Sequence, residues 1–187
     1  RFFLNGLTAY ADMQYRYIHY KINGENDKMD GNHHQHLNVN EHFNFFNPKG
    51  GLSWEINKRH RVYGSVSVAH KEPTRNNYTD GNSFDLPKSE RLIDYELGYQ
   101  YTGSWFSGGV NFYYMDYKDQ LVLTGELNEI GEPMSVNMPK SYRMGIELMA
   151  GIHLPMGFSW EANATLSRNR ITDFIETLYD DETYEPW

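Results

Sequence analysis

The sequence predicts an all-β fold, an antiparallel meandering sheet that forms an arc of a transmembrane β-barrel. Every extended stretch alternates small or apolar residues with polar ones, and Ile93, Tyr95 and Leu97, for example, alternate with charged residues. A period of two places each set on its own face of a strand. The stretches are joined alternately by a very short turn and a long polar loop. An apolar face backed by a charged face, with long loops at one end only, is typical of outer-membrane barrels.

The composition agrees with a barrel wall and argues against several other classes of protein. The 187 residues suffice for one domain, and they include 16% aromatic residues and 15 Tyr at a mean hydropathy of −0.73. No apolar run approaches the roughly 18 residues of a membrane-spanning helix. In a barrel the inward polar residues cancel the outward apolar ones in a hydropathy average. The absence of cysteine excludes disulfides and thiolate metal sites, and the net charge of −8 argues against a nucleic-acid partner.

Seven strands are predicted, with two kinds of connection between them. The strands span 6–23, 40–56, 61–70, 91–101, 105–117, 141–154 and 158–169. The long loops 24–39, 71–90 and 118–140 alternate with short turns at 57–60, 102–104 and 155–157. Because single-chain barrels close with an even number of strands, an odd set predicts a piece of a larger barrel. The chain also opens at Arg1 without a start Met or a signal peptide, which gives the same expectation.

Loop length predicts the orientation of the sheet, because the short turns of such barrels face the periplasm and the long loops face outside. Trp54, Trp105 and Trp160 each lie within three residues of a predicted short turn. A belt of indole rings at the headgroup level requires this placement, since indole keeps its N–H wet and its ring in the apolar zone. Tryptophans that merely cover the edge of a core are the alternative.

The alternation also assigns side chains to the two faces. The residues expected to meet lipid include Leu52, Val66, Leu97, Val110, Leu148 and Ala164. The charged residues expected inside are Asp12, Arg16, Lys49, Glu55, Asp94, Glu96, Arg143, Glu147 and Glu161. Such residues either hydrate the wall or pair with a charged segment in the lumen. Glu96 and Glu147, with Arg143, are the candidates for that contact, because each glutamate lies near an inward glycine, where another backbone can approach.

The long loops hold the candidate ligand-binding residues. These are His33, His34 and His36 in the first loop, and Arg75 and Tyr78 in the second. Imidazole ligates metals and haem, but no zinc spacing is present, and the interspersed Asn and Gln favour a solvated loop. The Arg and Tyr suit an anionic chelate, although loops of this composition are usually only hydrated. We therefore predict no fixed metal site, no catalytic residue and no resident cofactor.

Six stretches, in this order and spacing, resemble the barrel of the TonB-dependent outer-membrane receptors over nearly the whole chain. They are 47–54 (NPKGGLSW), 63–67 (YGSVS), 86–90 (LPKSE), 94–99 (DYELGY), 112–119 (FYYMDYKD) and 142–147 (YRMGIE). The resemblance implies a 22-stranded barrel with a plug domain in its lumen. It also implies energy-coupled import of a scarce ligand such as an iron–siderophore, haem, cobalamin or a glycan.

On this resemblance, residues 1–187 form a partial barrel domain from the C-terminal half of the barrel, without the plug, the TonB box and the final strands. The implied partners are the lipid bilayer of a Gram-negative outer membrane, the receptor's own plug, the TonB complex through the missing N-terminal part, and the imported small ligand. An enzyme is not expected, because Ser, His and Asp occur at no diagnostic spacing for a hydrolase. A soluble all-β ligand-binding module and an unselective porin are the alternative functions.

Overall fold

Eight strands form one antiparallel sheet in which each strand pairs with its neighbours in the sequence. The computed structural model describes residues 1–30, 33–79, 86–127, 131 and 133–172. The strands are β1 Phe2–Leu4, β2 Leu7–Asp30, β3 His33–Asn57, β4 His60–Lys71, β5 Glu90–Thr102, β6 Phe106–Leu127, β7 Pro133–His153 and β8 Ser159–Thr172. Helical structure in these ranges is limited to α1, Arg75–Thr79, and a 3-10 turn, Pro155–Gly157. The predicted all-β meander is confirmed.

No second sheet covers either face within the described ranges, and β1 and β8 are the two edges of the sheet. The apolar side chains buried from solvent are correspondingly few: Val39, Phe45, Tyr78 and Met138 among the large ones. None of the described helices is long and apolar enough to cross a bilayer.

The first strand, β1, was missed by the sequence prediction. Asn5 and Gly6 have φ values of 44° and 81° and join β1 to β2 in a two-residue turn. Asn-Gly is the dipeptide most typical of such hairpins, because both turn positions need a positive φ. The turn is tied to β3, since the backbone N–H of Glu55 donates to the carbonyl of Gly6 at 2.8 Å. This dipeptide was the signal for an eighth strand.

The strands at the long-loop end are longer than predicted, so the predicted loops 24–39 and 118–140 are wrong over most of their length. β2 continues to Asp30 and β3 begins at His33, and β6 and β7 extend in the same way. The β2–β3 extension is mostly polar, whereas the β6–β7 extension keeps apolar residues such as Val122 opposite Val136, and the backbone groups pair across both hairpins. In the second predicted loop, 71–90, the described residues include α1 and the first residue of β5.

The register places the alternating residues on two distinct faces, as predicted. Ala9, Leu52, Gly64 and Leu97 follow one another across β2–β5, and Val110, Leu148 and Ala164 continue this apolar face across β6–β8. We call it the outer face. Leu97 is 57% exposed and Leu52 is 56% exposed. A continuous exposed apolar surface of this kind is foreign to a soluble monomer and marks an interaction surface.

The short connections share one end of the sheet. They lie between Asn57 and His60, between Thr102 and Phe106, and at the 3-10 turn. Trp54, Trp105 and Trp160 stand at that end and are 51–64% exposed. They do not cover the edge of a core, because no layer packs on them in the described part of the chain.

Candidate functional site

The face opposite the apolar one carries the charged residues, and we call it the inner face. All nine residues expected inside fall on it by alternation and register. One transverse row runs through Asp12, Lys49, Ser67 and Asp94 to Met115 and Arg143. The row thus alternates acidic and basic groups across the sheet, which suits a hydrated surface or a charged partner.

Glu147, one of the three predicted lumen contacts, already has a partner within the wall. Tyr63 Oη donates to Asn111 Oδ1 at 3.2 Å, and Asn111 Nδ2 donates to Glu147 Oε2 at 3.4 Å. Arg143 lies with its guanidinium 5.3 Å from the centre of the Tyr117 ring. Glu96 lies between Ser65 and Tyr113 in the register. All three predicted residues therefore share the inner face.

The glycines of the inner face are filled by tyrosine rings, which contradicts the reason given for choosing the glutamates. A Cβ at Gly98 would overlap the ring of Tyr63, and one at Gly145 would lie 2.5 Å from Tyr113 Oη. A third pair joins Gly51 to Tyr10, whose ring would be 2.6 Å from a Cβ. The missing side chains therefore make room for a neighbouring strand's ring, not for a foreign backbone.

Gly98→Ala in the intact protein is expected to lower the free energy of unfolding by about 1–3 kcal/mol, because the methyl group overpacks against Tyr63. Gly64→Ala is the matched control, since the nearest atom to its Cβ is a backbone oxygen at 3.5 Å. Urea unfolding in lipid vesicles measures both. In a Tyr63→Ala background the cost of Gly98→Ala should largely vanish. A cost that survives the loss of the ring would contradict this packing.

A segment after β4 folds back over the inner face near its long-loop end. Pro73 is almost fully buried, and the ring of Tyr78 in α1 stacks on Tyr20 of β2 with centroids 5.2 Å apart. Arg16 Nη2 lies 2.5 Å from Glu72 Oε2 and also donates to the carbonyl of His70 at 3.3 Å. We call residues 72–79 the inward segment.

The Arg16 side chain contacts several of the residues that attach the inward segment to the inner face. Its guanidinium lies 5.2 Å from the centre of the buried Phe45 ring. The ring of His70 stacks on the same Phe45 ring, with the two ring centroids 5.2 Å apart. His70 Nδ1 is in turn 2.8 Å from Asn47 Oδ1. The ion pair with Glu72 is partly exposed, so its worth is modest, and the aromatic packing supplies most of the attachment.

The side chain of Asn137 in β7 holds a second segment, residues 86–89, at the long-loop end of the sheet. Its side-chain amide accepts from Lys88 N at 2.7 Å and donates to Lys88 O at 3.0 Å, and it also donates to Asp119 O at 2.7 Å. Paired contacts to one backbone unit fix the chain as a strand partner would. Residues 86–89 are thereby tied to the β6–β7 hairpin.

The predicted ligand-binding residues are not brought into one place. His33, His34 and His36 belong to β3, opposite residues of β2, and strand alternation puts His34 and His36 on the face opposite to His33. His36 pairs with Glu25 on the outer face, whereas Tyr78 lies over the inner face. No group of three or more His, Asp or Glu side chains able to hold a metal occurs among the described residues.

Arg75 and Tyr78 occupy α1 but differ in exposure. Arg75 is exposed, whereas Tyr78 is 5% exposed and its Oη has no hydrogen-bond partner among the described residues. Burial raises the pKa of Tyr78 to about 12, with Glu41 adding to the shift. A buried neutral phenol packs the segment in place.

Asp94 is an inner-face group that the sequence prediction did not select as a site residue. Its Oδ1 is buried and has no hydrogen-bond partner in the described ranges. An unsatisfied buried carboxylate oxygen is costly, so it marks a place where a further partner is expected. Burial of this kind depends on the neighbouring strands and leaves no mark in the alternation pattern.

A family model described as "TonB dependent receptor-like, beta-barrel" matches residues 10–185. Among curated proteins, none matches the chain in sequence.

Three solved structures with a similar fold are described as a transporter or a receptor. The FrpB iron transporter from Neisseria meningitidis, F5-1 variant, is 19% identical with a TM-score of 0.65, covering 89% of this chain and 24% of that one. The copper transporter OprC is 16% identical with a TM-score of 0.71, covering 89% of this chain and 27% of that one. The siderophore receptor PirA from Pseudomonas aeruginosa is 18% identical with a TM-score of 0.58, covering 85% of this chain and 32% of that one. The chain thus spans about a quarter to a third of these proteins.

Proposed function

Because the chain belongs to the family of TonB-dependent receptor-like β-barrels, we propose that it is part of an importer in the outer membrane of a Gram-negative bacterium. The whole receptor captures a scarce ligand at the cell surface and imports it with energy supplied through TonB. The observation that carries this proposal is the two-faced sheet, with an exposed apolar face and a charged face that bears the inward segment. The first face suits lipid and the second suits a hydrated lumen.

The candidate ligands remain those of the sequence analysis: an iron–siderophore, haem, cobalamin or a glycan. The similar structures are those of an iron transporter, a copper transporter and a siderophore receptor, which favours a metal or its chelate. The two alternative functions fare worse. A soluble module would cover its apolar face, and the family model that matches the chain describes a TonB-dependent receptor-like barrel, which disfavours an unselective porin.

The experiment that tests the proposal is uptake in cells. Deletion of the receptor gene should abolish accumulation of one radiolabelled ligand among an iron–siderophore, haem, cobalamin and a set of oligosaccharides. Loss of TonB should abolish the same uptake, because the imported ligand moves against its gradient. Passive entry that persists without TonB would favour the porin reading.

The orientation places the long connections outside the cell, and surface labelling tests this directly. Asn76→Cys is the better probe position, because Asn76 is exposed, whereas Asn77 Oδ1 accepts two hydrogen bonds from Thr74. We expect a membrane-impermeant maleimide to label Asn76→Cys on whole cells. Lys58→Cys, in a short turn, should label only after the outer membrane is broken. The reverse pattern would overturn the orientation.

The lumen contacts of the plug domain are proposed at Glu96, Glu147 and Arg143, to which we add Asp94. Of these, Asp94 and Glu96 have the stronger case, because Glu147 is already engaged by Asn111 and Arg143 by Tyr117. Asp94→Asn should weaken retention of the plug in mild denaturant more than Glu147→Gln does. Crosslinking yield between plug and barrel measures this difference.

A further inference from the structure

Two histidines face each other on the outer face of the β2–β3 hairpin. His19 of β2 lies directly opposite His42 of β3 in the register. Their rings are stacked, with the centroids 4.3 Å apart and 10° between the ring planes. Both side chains are exposed. We call these two residues the histidine pair, and neither belongs to the charged inner face or to the histidines proposed for ligand binding.

Each ring of the histidine pair has one nitrogen held by a neighbouring side chain. His19 Nε2 lies 2.8 Å from Asn40 Oδ1, which is an acceptor, so Nε2 carries the proton and Nδ1 keeps its lone pair. His42 Nδ1 lies 2.8 Å from Tyr17 Oη, a hydroxyl that can accept from this nitrogen and leave the lone pair on Nε2. Metal-ligating histidines donate their other ring N–H to partners of this kind. The hydrogen bonds therefore leave one nitrogen of each ring available as a ligand.

The stacked rings are suited to an ion only after a small movement. The lone pairs lie in the ring planes, so one ring must turn about its side-chain torsions before both nitrogens point at a common centre. Exposure of both histidines, and of Asn40 and Tyr17 beside them, leaves room for that turn. Two imidazolium cations at this separation would repel each other, so the stack favours neutral rings, the form that binds metals.

The position of the histidine pair along the strands gives it access to water. His19 lies roughly twelve residues after the start of β2 at Leu7, which is about one bilayer crossing for a tilted strand. On its membrane side stand Tyr15 and Tyr17 of the same face, and tyrosines of this kind occupy the headgroup level. The pair therefore begins the part of the hairpin that projects beyond the membrane.

We propose that the histidine pair binds a late first-row divalent cation, Cu²⁺ most tightly and Zn²⁺ or Ni²⁺ more weakly. Imidazole suits these ions, and their affinity for nitrogen ligands is highest at Cu²⁺. Water completes the coordination, because the described residues offer no set of three His, Asp or Glu ligands. The ion joins β2 to β3 one residue before Tyr20, whose ring holds the inward segment on the other face. The site lies on the outside of the wall, apart from the path of the imported ligand.

The test uses the full-length receptor without a histidine tag in phosphatidylcholine nanodiscs, with Cu²⁺ as the probe. Electron paramagnetic resonance counts the imidazole nitrogens on the bound ion, and titration against a chelator gives the affinity. The unmodified receptor should show two imidazole nitrogens. His19→Gln and His42→Gln should each leave one and weaken binding about tenfold or more, since loss of even an outer hydrogen-bond partner costs about 10–100-fold.

The matched control is His60→Gln, because His60 lies on the outer face opposite Tyr101 and not opposite a second histidine. It should leave both the spectrum and the affinity unchanged. Asn40→Ala, which removes the partner of His19 Nε2, should keep two nitrogens but weaken binding about tenfold.

Three results would each overturn the metal site: no two-nitrogen signal in the unmodified receptor, a two-nitrogen signal that survives the loss of both His19 and His42, or an equal loss in His60→Gln. Heat-modifiable mobility on gels reports whether each barrel is folded. Should the variants not fold, carbethoxylation of the unmodified receptor carries the test. Saturating Zn²⁺ should then protect the histidine pair and leave His60 reactive, as read by peptide mass spectrometry, and equal modification with and without Zn²⁺ would contradict the site.

These results are separable from those on transport. The spectra and affinities are measured without an imported ligand, so failure of the uptake experiment leaves them unchanged. Replacement of both His19 and His42 should also leave uptake intact, because the pair faces away from the lumen. Loss of uptake together with loss of the two-nitrogen signal would place the ion on the path of the imported ligand and overturn the separate site.

Discussion

Arginine at Leu97 is expected to lower the free energy of unfolding of the intact receptor in lipid by about 2–4 kcal/mol. Leu97 lies midway along β5 on the outer face and is 57% exposed in the isolated sheet. In a bilayer that surface meets hydrocarbon, where a guanidinium loses its hydration. Leu148→Arg, at a similar depth on β7, should behave in the same way. Urea titration of the receptor in vesicles measures both changes.

The matched control is Ser65→Arg, which places the same charge on the neighbouring strand but on the inner face. Ser65 lies directly opposite Glu96, so the new guanidinium gains a carboxylate and remains hydrated. Its effect should stay within about 0.5 kcal/mol, as for other substitutions at polar surfaces. If Ser65→Arg cost as much as Leu97→Arg, the two faces would not differ in environment, and the assignment of the outer face to lipid would fail.

The central part of every long strand was predictable because one physical rule governs it. A strand between lipid and water must alternate, so Leu97 and Glu96 could be assigned to opposite faces from sequence alone. The alternation is no longer required once a strand leaves the membrane. Beyond Ile22 in β2 the residues are mostly polar on both faces, and pairing is sustained by the backbone, whose hydrogen bonds carry no signal in the side chains. For that reason His33 and His36 were assigned to a loop.

The candidate site was predictable to a smaller extent. Charged inner-face residues such as Glu147 follow from alternation, but their partners do not, because the contact with Asn111 joins positions 36 residues apart. The packing of Tyr63 into the space at Gly98 depends on register in the same way. The inward segment has no periodic pattern at all. Its placement depends on tertiary contacts of Tyr78 and Arg16, which a single sequence does not encode locally.

Replacement of Tyr78 by alanine is expected to release the inward segment and to lower ligand affinity about tenfold or more, as for a buried aromatic anchor. The ring is 5% exposed and stacks on Tyr20, so its loss removes the aromatic contact that packs α1 on the sheet. Amide hydrogen exchange of residues 75–79 should become fast, while β4 and β5 remain protected. Binding of the transported ligand, once uptake has identified it, is measured by titration on the purified receptor.

Tyr78→Phe separates packing from direct contact with the ligand. The phenol Oη has no partner among the described residues, so phenylalanine keeps the stack and removes a buried unsatisfied group. Ligand affinity should therefore be retained, and an equal loss in Tyr78→Phe and Tyr78→Ala would mean that the hydroxyl touches the ligand.

The pH at which the inward segment opens gives an independent measure of the burial of Tyr78. The pKa of Tyr78 is raised from 10.0 to about 12 in the folded state, so the stabilisation is complete below pH 10 and is lost as the pH rises towards 12. The reason is that a phenolate favours the open, hydrated segment. Exchange at residues 75–79 should accelerate across that window in the unmodified receptor and remain slow in Tyr78→Phe. Identical alkaline profiles for the two proteins would show that another group controls the docking of the inward segment.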